Sequence, residues 1–231
     1  MNNLSDQLFK KRQGKKIKRA EFIKNIAPYR YLIVCEGEKT EPYYFEGIKK
    51  IINEKYGNKI VVKNIKTERI EIYGTGRNTE NLVQYTIDKR RRAEIPYGNV
   101  WCVFDKDSFS DHQFNNAIVM AESNNIKVAW SNEAIELWFI LHFEYLNSGI
   151  SREKYIKKLN SCFSNYNINN GKYEKNIVNI YDVLTKYGDI KLAIKYAKML
   201  KKEHSNITPS LRNPSTELYK LIEELMDYLK K

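Results

Sequence analysis

Two apolar runs of strand length, each ending abruptly in carboxylates, set the main constraint on this chain. Tyr31-Leu-Ile-Val-Cys35 runs into Glu36-Gly-Glu-Lys-Thr-Glu41, and Val100-Trp-Cys-Val-Phe104 runs into Asp105-Lys-Asp107. An unbroken apolar run of this length suits a strand buried on both faces, as in a parallel sheet covered by helices. Open sheets of that kind bind ligands just beyond the carboxyl ends of their strands. If the two strands are neighbours, Glu36, Asp105 and Asp107 converge on one small volume. Crowded carboxylates repel one another unless a cation lies among them, and oxygen-only donors select a hard ion such as Mg²⁺ or Mn²⁺.

The rest of the first 148 residues alternates strand and helix. Thr40-Glu-Pro-Tyr43 opens a helix with Thr40 as its N-cap, continuing through Tyr44, Phe45, Ile48, Ile51 and Ile52. Ile60–Ile65 and Ile70–Tyr73 are β-branched runs, one or both forming the second strand. A glycine turn, Gly74-Thr-Gly-Arg-Asn-Thr79, leads to a helix carrying Leu82, Val83, Tyr85, Ile87 and the basic run Lys89-Arg-Arg-Arg92. Asn99–Phe104 is a strand, Phe114–Ser123 a helix, Val128–Trp130 a strand and Glu133–Phe143 an apolar helix. Such alternation means βαβ units and a doubly wound, mostly parallel α/β sheet over about residues 28–148. Beyond Gly149 the β signal fades: Tyr155–Phe163, Ile177–Tyr187, Ile190–Leu200 and Leu218–Leu229 read as helices, with Asn213-Pro214 starting the last. Residues 149–231 therefore form a helical region packed on the sheet.

Charge divides the chain again. Its net +12 includes +6 in residues 1–27, where eight Lys/Arg face only Asp6 and Glu21. Lys10, Lys11, Arg12, Lys15, Lys16, Lys18 and Arg19 make seven basic residues in ten, a flexible arm or lone helix able to track phosphates, or else a solvated tail. Arg77 and Lys89, Arg90, Arg91 and Arg92 are further candidate nucleic-acid contacts, although cations at a helix end also offset its dipole. The glycine turn before that helix reads as a phosphate cradle or a plain loop. There is no GxxxxGK[ST], so the chain carries no P-loop. Three unclustered cysteines point to buried thiols and a reducing cytoplasm, and no signal peptide or membrane span is evident.

Residues two apart in an extended segment face the same way, so Asp105 and Asp107 can reach one site while Lys106 points elsewhere. Mg²⁺ there would stabilise phosphoryl charge and activate a water, with Glu36 either a ligand or a general acid or base. Glu136, charged within an apolar helix, needs a buried partner, either the metal or a Lys or Arg. His142 reads as structural, and Trp101, Trp130 and Trp138 as core.

Apolar strand–Glu-Gly followed by apolar strand–Asp-x-Asp resembles the Toprim domain of topoisomerases, primases and overcoming-lysogenization-defect nucleases. The nearer resemblance is to the RloB family, Toprim-like proteins of bacterial restriction loci and AbiL-type abortive-infection systems. It rests on Ile33–Pro42, Val103–Asp107, Ser131–Phe143 and Asn213–Thr216. Glu133 stands where the family's Ser-Asn-Pro pattern would place proline. The resemblance implies a Toprim-like fold with Glu36, Asp105 and Asp107 as the metal-binding carboxylates, and with Glu41 as a further ligand. It also implies a nuclease effector of antiphage defence with an ATPase encoded nearby. The alternatives are a non-catalytic nucleic-acid-binding module with an inert acidic site, a primase-like phosphotransferase and a receiver-type phosphoacceptor. DNA and RNA remain equal as substrates.

Overall fold

The computed structural model describes residues 29–62, 64–107 and 109–230; the basic arm, including Lys10 to Arg19, lies outside them. A five-stranded sheet forms the centre. Its strands, in chain order, are β1 (Tyr31–Cys35), β4 (Ile70–Gly74), β5 (Asn99–Asp105), β6 (Lys127–Asn132) and β7 (Ser215–Thr216). Their spatial order is β4-β1-β5-β6-β7. The first four are parallel, and β7 adds an antiparallel edge through the pairs Ser131–Thr216 and Asn132–Ser215.

The unbroken apolar runs are explained by the two cores that flank the sheet. Tyr31, Ile33 and Cys35 of β1, with Trp101 and Val103 of β5, enter one core. Their alternates, Leu32, Val34, Val100, Cys102 and Phe104, enter the other. Over the second face lie α2 (Thr79–Arg92), through Leu82, Val83 and Ile87, and α3 (Asp111–Ser123), through Phe114, Ala117 and Ile118. Asn78 caps α2 by accepting from the Asn81 amide, and Ser110 with Gln113 closes a capping box on α3. The first face takes α1 (Thr40–Tyr56) and α4 (Glu136–Ile140). It also takes α5 (Arg152–Asn165), α6 (Ile180–Tyr187), α7 (Ile190–Glu203) and α8 (Leu218–Lys230). The C-terminal helices thus share a core with β1 and β5. This is an α/β fold with helices on both faces, consistent with a Toprim-like doubly wound sheet. Among the described residues no helix is long and apolar enough to cross a membrane.

Four local expectations are corrected. Ile60–Ile65 does not enter the main sheet: β2 (Lys59–Val62) and β3 (Ile65–Glu68) pair with each other as an antiparallel hairpin. Thr40 is the first residue of α1 rather than its cap, and its hydroxyl donates to Asn176 Oδ1 at 3.3 Å. The helix expected over Glu133–Phe143 is only Glu136–Ile140. Glu133 lies before it, after a cis Asn132–Glu133 peptide bond. Asn213-Pro214 does not start the last helix. It precedes β7, and Thr216 does the capping work, accepting from the Leu218 amide at 3.3 Å while bonded to Ser131 Oγ at 2.9 Å. Two residues are too few to show strand alternation, so β7 left no trace in the pattern.

Helix α1 lies against α6 so closely that a Cβ built on Gly47 would stand 2.4 Å from the Tyr181 Cβ. Gly47→Ala should therefore cost about 1–3 kcal/mol by prying the two helices apart. Chemical denaturation would read this; an unchanged midpoint would mean that α6 is not seated on the sheet domain.

Candidate active site

The chain passes from β1 through α1 to β4 on one side, then through α2 back across β1 to β5. Strand order therefore reverses between β1 and β5, and the crevice at their carboxyl ends is the ligand position of such a sheet. Glu36 follows β1 directly, and its backbone is tied to both neighbouring strands' ends. Its amide donates to the Val103 carbonyl at 2.9 Å, and its carbonyl accepts from the Gly76 amide at 2.8 Å. Glu36 Oε2 accepts from the Asp105 amide at 3.2 Å, which joins the two strand-end motifs directly. Gly37 leaves room for the Glu41 carboxylate, since a Cβ there would lie 2.0 Å from Glu41 Oε2 and that side chain would have to move. Glu41, in the first turn of α1, instead accepts from the Gly37 amide at 3.2 Å. An acid there also complements the positive end of the helix.

Asp105 is 8% exposed and accepts from the Ile135 amide through Oδ2 at 3.1 Å. Asp107 arrives by a different route from the one alternation implies. β5 stops at Asp105, and Asp107 has φ of 36°, with its amide donating to the Glu133 carbonyl at 2.9 Å. This turn, rather than strand alternation, brings it to the same cavity.

That cavity has a volume of about 370 Å³ and is lined by Glu36, Glu41, Asp105 and Asp107 together with Lys39 and Arg152. Glu136 lies outside the lining, 1% exposed, with Tyr173 donating to Oε1 at 3.4 Å. Arg152 is the residue that sequence reasoning did not find. It donates through Nη1 to Asp107 Oδ2 at 2.9 Å, and its Nη2 stands 3.5 Å from Glu136 Oε2. Its Nε is buried without an acceptor among the described residues. The apolar context of Glu136 demanded a cation, but nothing local singles out one among 40 Lys and Arg.

Burial dominates the electrostatics, and repulsion adds to it. Burial, with the charges of Glu41 and Asp107, pushes the Glu36 carboxyl up to about 7, although the Asp105 amide and Arg152 pull the other way. Burial and then the charges of Glu41 and Glu136 hold Asp105 well above the carboxylate range. Burial likewise raises Glu41, against its bonds to its own amide and to that of Gly37. Arg152 is held more firmly protonated by Glu136, Asp105, Asp107 and Glu41, which outweigh its desolvation.

The donors are hard oxygens suited to Mg²⁺ or Mn²⁺, whereas Glu136 Oε2, outside the lining, already faces Arg152 Nη2 at 3.5 Å. Among the described residues, however, no group of three or more His, Cys, Asp or Glu side chains is drawn together in a ready-made metal cluster. The acids stand around Arg152 instead.

The remaining candidates fall elsewhere. His142 is buried, bonded through Nδ1 to the Trp138 carbonyl at 2.9 Å, and lowered by burial to about 4, which makes it a neutral packing residue. Trp101, Trp130 and Trp138 are core. Arg77, Lys89 and Arg92 line a second cavity beside α2, and Arg91 is exposed. Arg90 turns inward to donate to the Asn124 carbonyl at 2.6 Å.

A carboxyl raised on folding binds more protons in the native than in the unfolded state, so stability falls as pH rises through the interval. For Glu36 that interval runs from the ordinary 4.5 to about 7. Without added metal the protein should melt at a lower temperature at pH 8 than at pH 5.5. Asp105→Asn keeps an acceptor for the Ile135 amide and removes one repelling charge; at pH 8 it should stabilise the metal-free protein by about 0.5–2 kcal/mol. A lower midpoint than wild type in that thermal scan would mean that the cluster is not under repulsion.

No curated protein and no solved structure matches this chain. A family model described as RloB-like protein matches residues 31–225, from the first residue of β1 into α8. The matched span includes every carboxylate of the cavity and Arg152, and the chain belongs to the family of RloB-like proteins.

Proposed function

We propose that this chain is a metal-dependent nuclease that cleaves phosphodiester bonds, acting as an effector of antiphage defence beside an ATPase partner. The observation that carries the catalytic reading is the junction of the two motifs: Glu36 Oε2 on the Asp105 amide at the switch point, with Asp107 and Arg152 on the same cavity. The defence role and the ATPase partner rest on what the resemblance to the RloB family implies, and the chain's place in that family is the support they have.

In this reading Glu36, Asp105 and Asp107 would hold Mg²⁺ or Mn²⁺, with Glu41 and Glu136 at the margin. The ion would neutralise charge on the phosphoryl oxygens and lower the pKa of a bound water. The chain's own residues do the rest. Arg152 offers a planar set of N–H donors, one of them without an acceptor, to a phosphate oxygen. Lys39, exposed at the rim, adds positive charge where the substrate enters. Glu36 borders the cavity and is only partly buried, so it can accept or deliver a proton at the attacking or leaving oxygen.

A second reading is favoured by one observation, the Arg152–Asp107 ion pair without a ready-made carboxylate cluster. It is a binding module whose acidic site is neutralised internally and does no chemistry.

Cleavage of labelled DNA and RNA with Mg²⁺ or Mn²⁺ separates the two readings. Asp105→Asn should abolish cleavage, and Glu36→Gln should lower its rate about 10²- to 10⁴-fold, the range for a lost acid–base group. Affinity for the substrate should stay equal or rise, since each change removes negative charge. Full cleavage by Asp105→Asn would leave the binding module as the better account.

A further inference from the structure

Beside α2 lies a second cavity of about 450 Å³, lined by Arg77, Tyr85, Asp88, Lys89, Arg92 and Tyr97. Its volume falls in the range of roughly 300–1,000 Å³ typical of small-ligand clefts. Its chemistry is the reverse of the carboxylate site, with three cations and two aromatic rings against one acid. Asp88 accepts from Gln84 Nε2 at 3.1 Å. Among the described residues Arg77, Lys89 and Arg92 form no ion pair; two of them rest on aromatic rings. Arg77 Cζ stands 4.5 Å from the Tyr85 centroid, and Lys89 Nζ stands 3.6 Å from the Tyr73 centroid. A cation on a ring keeps its charge for an incoming anion, whereas one paired with a carboxylate does not.

Helix chemistry accounts for only part of this. Lys89 and Arg92 occupy the last turn of α2, where any cation is favourable. Arg77 precedes the N-cap, where the helix dipole opposes a cation, so its place needs another explanation. Tyr97, one of the two lining rings, is held in position from behind. Arg30, 5% exposed, lies 4.0 Å from the Tyr97 centroid and donates to Glu71 Oε1 at 2.6 Å. Tyr73 donates to the other oxygen of Glu71 at 2.7 Å. A partly buried ion pair thus orients Tyr97 in the lining and Tyr73 beneath Lys89, which reduces the ordering cost of binding.

The pocket is also anchored to the carboxylate site. Arg77 follows Gly76, whose amide donates to the Glu36 carbonyl at 2.8 Å. The preceding Gly74 is pressed against the same loop, since a Cβ there would lie 2.5 Å from the Glu38 carbonyl oxygen. No side chain fits between the two sites at this point.

We propose that this pocket binds one nucleotide of a single-stranded nucleic acid, with its base against the tyrosines and its phosphate on Arg77, Lys89 and Arg92, and so delivers a neighbouring phosphodiester to the carboxylate cavity. A concave pocket of this size takes an unpaired base, and aromatic faces reach bases only when they are unstacked. This rests on the nuclease reading for the destination of the strand, but not for its binding.

The experiment measures the binding of labelled single-stranded and duplex oligonucleotides to the full chain by fluorescence anisotropy, with EDTA present and salt held constant. Tyr85→Ala should weaken single-strand binding about ten- to a hundred-fold, the range for a lost base stack, while duplex binding changes less than twofold. Tyr85→Phe should restore the single-strand affinity. Arg77→Met, at an exposed position outside the core, should weaken single-strand binding as well. If Tyr85→Ala and Arg77→Met both bind single strands like wild type, the pocket is overturned. It is also overturned if single strand and duplex lose affinity equally, which would indicate general electrostatics. Cleavage assays with Mg²⁺ on the same proteins distinguish the two failures. Cleavage by wild type with no binding defect in the variants removes the pocket alone. A single-strand-specific binding defect without any cleavage by wild type removes the nuclease alone.

Discussion

The structure turns on carboxylates buried together at the ends of β1 and β5, and on the guanidinium of Arg152 that answers them. Glu36, Glu41 and Asp105 are each shifted toward the neutral form by burial and by one another. Such an arrangement lowers stability, and a fold keeps it only where something else depends on the charges. Arg152 relieves it in part by reaching Asp107 and Glu136 at once. The cation comes from the first turn of α5, well beyond the first four strands, so the site is completed by the helical C-terminal region. The same region supplies β7 to the sheet edge and four helices to the core on the side where Asp105 points. Sheet and helical region are therefore halves of one site.

The fold was legible where local chemistry and tertiary environment agree. β1 and β5 showed themselves because both of their faces are buried, which leaves no polar residue to interrupt the run. Their adjacency was a condition that the pattern left open; the sheet order supplies it, and Glu36 and Asp105 meet across it. The structure hides what depends on distant partners. β7 is two residues long and exists because Thr216 bonds Ser131; no periodicity announces such a strand. The apolar stretch Glu133–Phe143 suggested a longer helix than forms, because the Glu133 carbonyl is engaged in holding the Asp107 amide instead of starting a turn.

The site was legible in its acids and not in its cation. Strand alternation points Asp107 toward the cavity; it lines that cavity, but through a turn of positive φ after β5 has ended. Arg152 had no motif at all. Only the burial of Glu136 pointed to a missing positive charge, and burial is a tertiary fact. The glycines are instructive in the same way. Gly37, Gly74 and Gly76 all lie where the two loops crowd Glu38 and Glu41, so the small residues in both turns serve one close approach. This brings the acidic cavity and the basic, tyrosine-lined one close together, as the proposed strand path needs.

If the acids hold a hard cation, the ion takes over at Asp107 from Arg152, which is left to donate to the phosphate. Crystals soaked with Mn²⁺ test it directly through the metal's anomalous scattering. The account predicts a peak ligated by Asp105 with Glu36 or Asp107, and an Arg152 side chain withdrawn from Asp107. A cavity without such a peak at saturating Mn²⁺, with the Arg152–Asp107 pair intact, would contradict it.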